Sequence, residues 1–257
     1  HTAGHDINYI ALTGALFTIG TKATPTPPLN LVGDYGGGAL YMVVGVLAAY
    51  IEAQKSGKGQ VVDTSMVEGA ASLMTPTYGA HAAGQWVDER ESNRLDGGCH
   101  HYGVYETKDG KHVAIGPNEP QFYALMLKEL GLEGETLPGQ TDRTHWPAMR
   151  ERFAKIFKTR TREEWTARLE QKDVCFAPVL SMSEAPQHPQ NKARGSFVEV
   201  DGVLQPGPAP RFSRTPSAVP YGPAFAGEHS AEVLADWGIE KKRIAALVET
   251  GAVKQRT

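Results

Sequence analysis

The spacing of hydrophobic and polar positions predicts a chain made mostly of helices, with a few short strands. From Asp6 to Ile19, residues Ile7, Ile10, Ala11, Leu16 and Phe17 give a first helix its apolar faces, and Gly14 weakens it slightly. Thr21 to Leu31 is a loop with prolines at 25, 27 and 28. The run Gly33-Asp34-Tyr35-Gly36-Gly37-Gly38 then feeds a helix from Ala39 to about Lys55. That helix is apolar nearly all round, so burial is expected. Ser56-Gly57-Lys58-Gly59 stops it. Gln60 to Thr64 reads as a short strand, and Met66 to about Met74 as a helix.

Residues 75 to 100 lack clear periodicity and read as a linker. Lys108-Asp109-Gly110 lies between Tyr102–Glu106 and His112–Ile115, a hairpin signal. Helices are expected over Pro120–Leu130, Trp146–Lys158 and Arg162–Lys172, with a strand over Val174–Leu180 interrupted by Pro178. Pro186 to Pro223 is rich in Pro and Gly and reads as a long crossing segment. Ser230 to Glu249 is helical, broken at Gly238.

Composition narrows the classes. Of 257 residues 40% are hydrophobic and 21% charged, the balance of an ordinary soluble protein with a real core. A net charge of −3 is too small to point to nucleic acid or an acidic membrane surface. The longest apolar stretch, Ala39 to Ile51, falls short of the ~20 residues a bilayer crossing needs. No secretory signal pattern opens the chain. The two cysteines, Cys99 and Cys175, are far apart and outside metal-ligand spacing, which suits a reducing compartment. Residue 1 is His, and the chain runs at once into an apolar helix, so upstream sequence is expected to be absent.

Three ionisable residues carry candidate chemistry: His5, Asp34 and Glu119. Each precedes or opens an expected helix, where free N–H groups and a partial positive charge favour nearby negative charge. Neutral His and ionised Asp are both bases. Three of them at positive helix ends suit removal of a weakly acidic proton beside a carbonyl, and the same dipoles would help hold the enolate. Taken singly, each has an ordinary role: Asp34 as a turn or cap residue, Glu119 as first-turn charge, His5 as a hydrogen-bonded structural histidine. Spacing alone does not place them in one pocket. The glycine run matches neither G-x-x-x-x-G-K-[ST] nor G-x-G-x-x-G. Its expected job, at Gly36 and Gly37, is to let a thioester approach the backbone. Cys99-His100-His101 lacks further ligands at metal spacing. Met66 and Met74 are either core filling or an acyl-pocket lining.

Several stretches resemble the family III CoA-transferase superfamily and, within it, the α-methylacyl-CoA racemase branch. They are Ala3-Gly4-His5-Asp6-Ile7-Asn8-Tyr9, Pro28-Leu29-Asn30-Leu31-Val32-Gly33-Asp34-Tyr35-Gly36-Gly37-Gly38, Ser56-Gly57-Lys58-Gly59-Gln60-Val61-Val62-Asp63, Leu95-Asp96-Gly97-Gly98, Glu119-Pro120-Gln121-Phe122-Tyr123 and Pro208-Ala209-Pro210-Arg211-Phe212-Ser213-Arg214-Thr215. The first, second and fifth are specific to the racemase branch. The resemblance implies an α/β family III fold, with a large Rossmann-like domain, a smaller α/β domain and an interlocked dimer. It divides the chain into 1–70, the C-terminal part of the large domain; 71–101, a linker; 102–185, the small domain; and 186–257, a return linker and C-terminal helix packed on the large domain.

Residue by residue, the resemblance makes His5 the histidine base, Glu119 the acid that pairs with it, and Asp34 the aspartate across the substrate carbon. Asn30, Asp6 and Tyr9 match residues lining the thioester. The implied reaction is 1,1-proton transfer at the α-carbon of a 2-methylacyl-CoA, with no cofactor beyond the CoA of the substrate, no metal, and no nucleic-acid or membrane partner. Two alternatives stand beside it: CoA transfer with Asp34 as nucleophile, and an inactive truncated fragment. The ending Lys254-Gln255-Arg256-Thr257 is not a peroxisomal address, and a bacterial cytoplasm is expected.

Overall fold

Gly14 decides how the chain begins. In the computed structural model, which describes residues 2–256, its φ of 77° splits the expected first helix into α1 (Asp6–Ala11) and α2 (Ala15–Thr18). The glycine run does not merely lead into a helix. Leu31–Leu40 is itself helical, wound as a π-helix, and continues without a break into α3 (Tyr41–Ser56). The wider turn is seen at its start, where the Tyr35 N–H reaches back five residues to the Asn30 carbonyl at 3.1 Å. Gly57, at φ 72°, ends α3 as the sequence pattern predicts. Helices α4 (Met66–Leu73) and α5 (Thr75–Ala82) follow.

The glycines of the π-helix serve a close approach. A Cβ on Gly37 would meet the backbone of Gly69 and Ala70 in α4, and a Cβ on Gly69 would collide with the Gly37 carbonyl. The core around this contact is small. Ile10, Ala15 and Ala70 are its buried hydrophobic residues, with Leu16, Val32 and Met74 packed against them.

Here the structure corrects three expectations. Helix α3 has no buried residue, and Met42, Val44, Leu47 and Ile51 are each more than half exposed. The physical reason is that three small-core residues cannot cover an all-round apolar helix. The apolar helix is also longer than Ala39–Ile51, because the glycine run joins it. Leu31–Ser56 is 26 residues, with a mean hydropathy of 1.5 in its most apolar window, only 6% of which is buried. By length and composition alone it reaches what a bilayer crossing requires. Gln60 to Thr64 forms no strand, since no described strand lies beside it to complete a ladder.

The expected linker is more ordered than its aperiodic sequence suggests. Besides α5 it holds a tight loop in which the Asp96 carboxylate accepts from the Ser92, Asn93 and Gly98 N–H groups. The buried Asn93 amide in turn donates to the Val87 and Glu89 carbonyls. Short polar side chains do this work, so hydrophobic spacing does not reveal it.

The next stretch follows the pattern closely. Strands β1 (Gly103–Glu106) and β2 (His112–Ile115) form the expected hairpin, with Gly103 opposite Ile115 and Gly110 at φ 73° in the turn. Strand β3 (Phe176–Pro178) adds to β2, giving a three-stranded antiparallel sheet in the order β1-β2-β3. Helices α6 (Pro120–Glu129), α7 (Trp146–Phe157) and α8 (Arg162–Leu169) accompany it. Their core is aromatic: Tyr105, Val113 and Ile115 of the sheet join Tyr123, Met126, Met149, Phe153, Phe157, Trp165 and Leu169. Met149, Phe153 and Phe157 recur every four residues along α7, which is why one face of it is buried. Thr161 and Glu164 close α8 with reciprocal caps of 3.2 and 2.7 Å.

The chain divides into two compact units, residues 1–179 and 180–257. In the second, the Pro- and Gly-rich segment read as a long crossing contains α9 (Pro189–Arg194) and a hairpin of β4 (Phe197–Val200) and β5 (Val203–Pro206). Asp201 and Gly202 turn it, both at positive φ. Two helices, α10 (Ser230–Asp236) and α11 (Lys241–Glu249), are separated at Gly238 as predicted.

His100 and His101 pack against rings of the aromatic core, and the buried Cys99 thiol faces the Arg94 and Tyr102 carbonyls. Both imidazoles are 1% exposed, with ring centroids 5.0 Å apart. His100 Nε2 bonds the Tyr123 hydroxyl at 2.7 Å, while the Nδ1 atoms of both rings have no partner. Burial pushes both histidines down to about 4, and pushes the Cys99 thiol up to about 11. A depressed histidine stabilises the fold fully above its unfolded value. That stability is lost as pH falls from the unfolded value of 6.5 towards 4. The unfolding free energy read from urea titrations should therefore fall across this window, by roughly 1.4 kcal/mol per pH unit for each histidine. His101→Phe should flatten the slope and raise stability at pH 5; an unchanged slope would show that these imidazoles are not buried neutral.

Candidate active site

His5 is the N-cap of α1. It is exposed, with an extended backbone at φ −127° and ψ 179°. Its N–H donates to Asn8 Oδ1 at 3.0 Å, which ties the cap to the first turn. Asp6, the next residue, is only 5% exposed. Its Oδ2 accepts the backbone N–H of Asp34 at 2.7 Å, across 28 residues of chain. Asp34 sits in the first turn of the π-helix, half-buried, and its own Oδ2 accepts from Asn30 Nδ2 at 2.5 Å. Leu29, at φ 57°, turns the chain sharply just before Asn30. Tyr9 is half-buried one turn along α1, and its ring lies against Gly4.

His5, Asp6, Tyr9, Asn30 and Asp34 thus belong to one neighbourhood, held by contacts between α1 and the start of the π-helix. Gly36 and Gly37 lie further along that helix. A Cβ on Gly36 would meet the Leu31 carbonyl and the Leu73 side chain, and one on Gly37 would meet α4. Within this chain, what their missing side chains admit is protein backbone.

Glu119 lies elsewhere. It is the exposed N-cap of α6, and its carbonyl accepts from the Tyr123 N–H at 3.0 Å. Gln140 Nε2 anchors the approach to it by donating to the Pro117 and Asn118 carbonyls. Its charge is felt at Cys175, whose thiol is pushed up, first by burial and then by Glu119. Among the described residues no hydrogen bond or ion pair joins Glu119 to His5 or Asp34.

The role of the Asp6 side chain escaped sequence reasoning. A His-Asp pair at a helix start was visible, but the partner 28 residues on was not. A second feature is a cavity of about 240 Å³ between α2 and α5, lined by Phe17, Met74, Tyr78, His81, Trp86 and Asp88. Met74 had an apolar pocket among its two expected roles.

The sequence pattern of CoA-transferase family III matches residues 1–230. The chain belongs to that family. The α-methylacyl-CoA racemase of Mus musculus is 46% identical to it over 250 residues, covering 95% of this chain and 65% of the relative. That of Homo sapiens is 40% identical over 260 residues, covering 98% of this chain and 68% of the relative. The family III chain therefore spans about two thirds of the length of these relatives. A CaiB/BaiF family protein from Brucella suis has the same fold, with a TM-score of 0.73 at 19% identity over 91% of this chain and 63% of that one.

For this family III chain the π-helix contact with α4 sets where Asp34 stands. Gly69→Ala should drive the two backbones apart and destabilise the protein by about 1–3 kcal/mol. A melting temperature equal to that of the unmodified protein would show that the close approach is not there.

Proposed function

We propose that the whole protein is a racemase that inverts the carbon next to an acyl-CoA thioester by taking a proton from one face and returning another to the opposite face. His5, assisted by Glu119, works on one face of that carbon, and Asp34 works on the other. An enolate forms between the two steps, and the reverse direction exchanges the roles. Each base must come within about 3–3.5 Å of the carbon whose proton it moves. Tyr9 and Asn30 line the thioester, while Gly36 and Gly37 are taken up by contacts within the chain. CoA enters as part of the substrate, and no further cofactor takes part.

One observation carries this reading: a single 2.7 Å hydrogen bond ties together the two helix starts that bear His5 and Asp34. The 46% and 40% identity to proteins named as racemases points the same way. Among the described residues Glu119 makes no hydrogen bond or ion pair with either base. On this reading it is the second copy of an interlocked homodimer that supplies it. The apolar face of α3 is then covered by protein, in the Rossmann-like part of the large domain, and not by lipid. The protein works in the cytoplasm. CoA transfer through Asp34 would instead make that carboxylate a nucleophile and form an aspartyl thioester, which hydroxylamine traps after treatment with acyl-CoA.

The test is single-turnover deuterium wash-in at C2, from each enantiomer of a 2-methylacyl-CoA, with the full-length protein. The unmodified protein should exchange that proton from both. His5→Ala and Glu119→Gln should slow exchange mainly from one enantiomer, and Asp34→Asn mainly from the other, each by about 10²–10⁴. Equal losses from both enantiomers in all three variants, with CoA binding intact, would refute the two-face assignment. Retention of protium over many turnovers would refute the racemase.

A further inference from the structure

Burying a carboxylate is costly unless it is well paired. Asp6 is buried nonetheless. One of its oxygens takes the Asp34 N–H, and the other is buried with no hydrogen-bond partner among the described residues. The space it occupies is kept open by a glycine: a Cβ on Gly33 would fall onto the Asp6 carboxylate. The N–H it accepts belongs to the first turn of the π-helix, where backbone donors lack partners within the helix. The side chain of Asp34 is fixed independently by Asn30, so both ends of that residue are held.

The path between the two bases is short. His5 adjoins Asp6 in sequence, and Asp6 bonds the backbone of Asp34. Only one side chain and one hydrogen bond therefore separate the two proposed bases. We propose that Asp6 is a positioning residue for proton transfer: seated against Gly33 and holding the Asp34 N–H, its carboxylate fixes the separation of His5 and Asp34 on the two sides of the reacting carbon. This rests on the racemase reading. It gives Asp6 a role distinct from that of either base, since its side chain is turned to the protein backbone. Both proton transfers need the same separation, so losing the clamp hurts both directions alike.

Three variants of the full-length protein test this. Asp6→Ala removes the acceptor. Gly33→Ala keeps the carboxylate but displaces it. Asp6→Asn keeps the shape and one acceptor oxygen. Asp6→Ala and Gly33→Ala should each lower kcat for C2 exchange about 100-fold from both enantiomers, the cost of misplacing a reacting group by about 1 Å. KM should stay within about twofold, because substrate contacts remain. Asp6→Asn should recover most of the rate. Hydrogen exchange at the Asp34 amide gives a readout independent of catalysis: protected in the unmodified protein and in Asp6→Asn, and exposed in the other two.

A loss confined to one enantiomer would make Asp6 a base and overturn the proposal. So would a rise in KM alone, which would make it a substrate contact. An Asp34 amide that exchanges freely in the unmodified protein also overturns it, even if Asp6→Ala and Gly33→Ala do not fold. Unchanged kcat with a freed amide would show that the bond exists but positions nothing. If the unmodified protein exchanges no C2 proton, the racemase reading fails by itself, and the positioning role falls with it, while the amide result still reports on the bond.

Discussion

The bond from the Asp34 N–H to the Asp6 carboxylate closes 28 residues of chain and sets two helix starts side by side. A helix start has N–H groups that the helix itself does not satisfy. Here one of them is met by a buried carboxylate instead of water. Leaving such a group unpaired costs about 1–3 kcal/mol, which is large against the small local core of Ile10, Ala15 and Ala70. The rest of the neighbourhood is arranged around this bond. Gly33 makes room for the carboxylate, Asn30 holds the far end of Asp34, and the Gly37–Gly69 contact fixes the helix behind it.

The first unit is uneven in how it is held together. Around β1-β2-β3, a continuous aromatic core is sealed by α6, α7 and α8. Around α1 to α5 the buried apolar surface is slight, and α3 lies open along its length. The hydrophobic effect scales with area removed from water, so the two regions are not equally self-sufficient. The site residues fall on both sides of this divide: His5 and Asp34 in the thinly packed region, Glu119 at the edge of the well-packed one.

Where hydrophobic spacing and local turn chemistry set the structure, the sequence was legible. The β1–β2 hairpin, α6, α7, α8 and the break at Gly238 lie within a few residues of their expected bounds, because each depends on neighbours close in sequence. Features that depend on distant partners were not legible. A buried α3 was expected from its own apolarity, but burial requires something to bury it. The strand over Gln60 to Thr64 needs a neighbouring strand. The polar loop from Glu89 to Gly98 is built by side-chain hydrogen bonds that leave no periodic trace. The site was legible as residue types at helix starts, and through the resemblance, but not as geometry. Through the resemblance Asp6 reads as a residue lining the thioester, whereas its bond to the Asp34 N–H depends on a partner 28 residues away.

On the racemase reading, two different bases serve the two faces of one carbon. Progress curves in deuterated water, followed by optical activity from a single enantiomer, are the measurement that distinguishes this from a single base. With two bases, the product takes its hydrogen from solvent while the remaining substrate keeps protium. The product then returns more slowly than it forms, and the optical signal should overshoot its equilibrium value before settling, from either enantiomer. A smooth approach to equilibrium, with substrate and product becoming deuterated in step, would contradict the account and leave one base serving both faces.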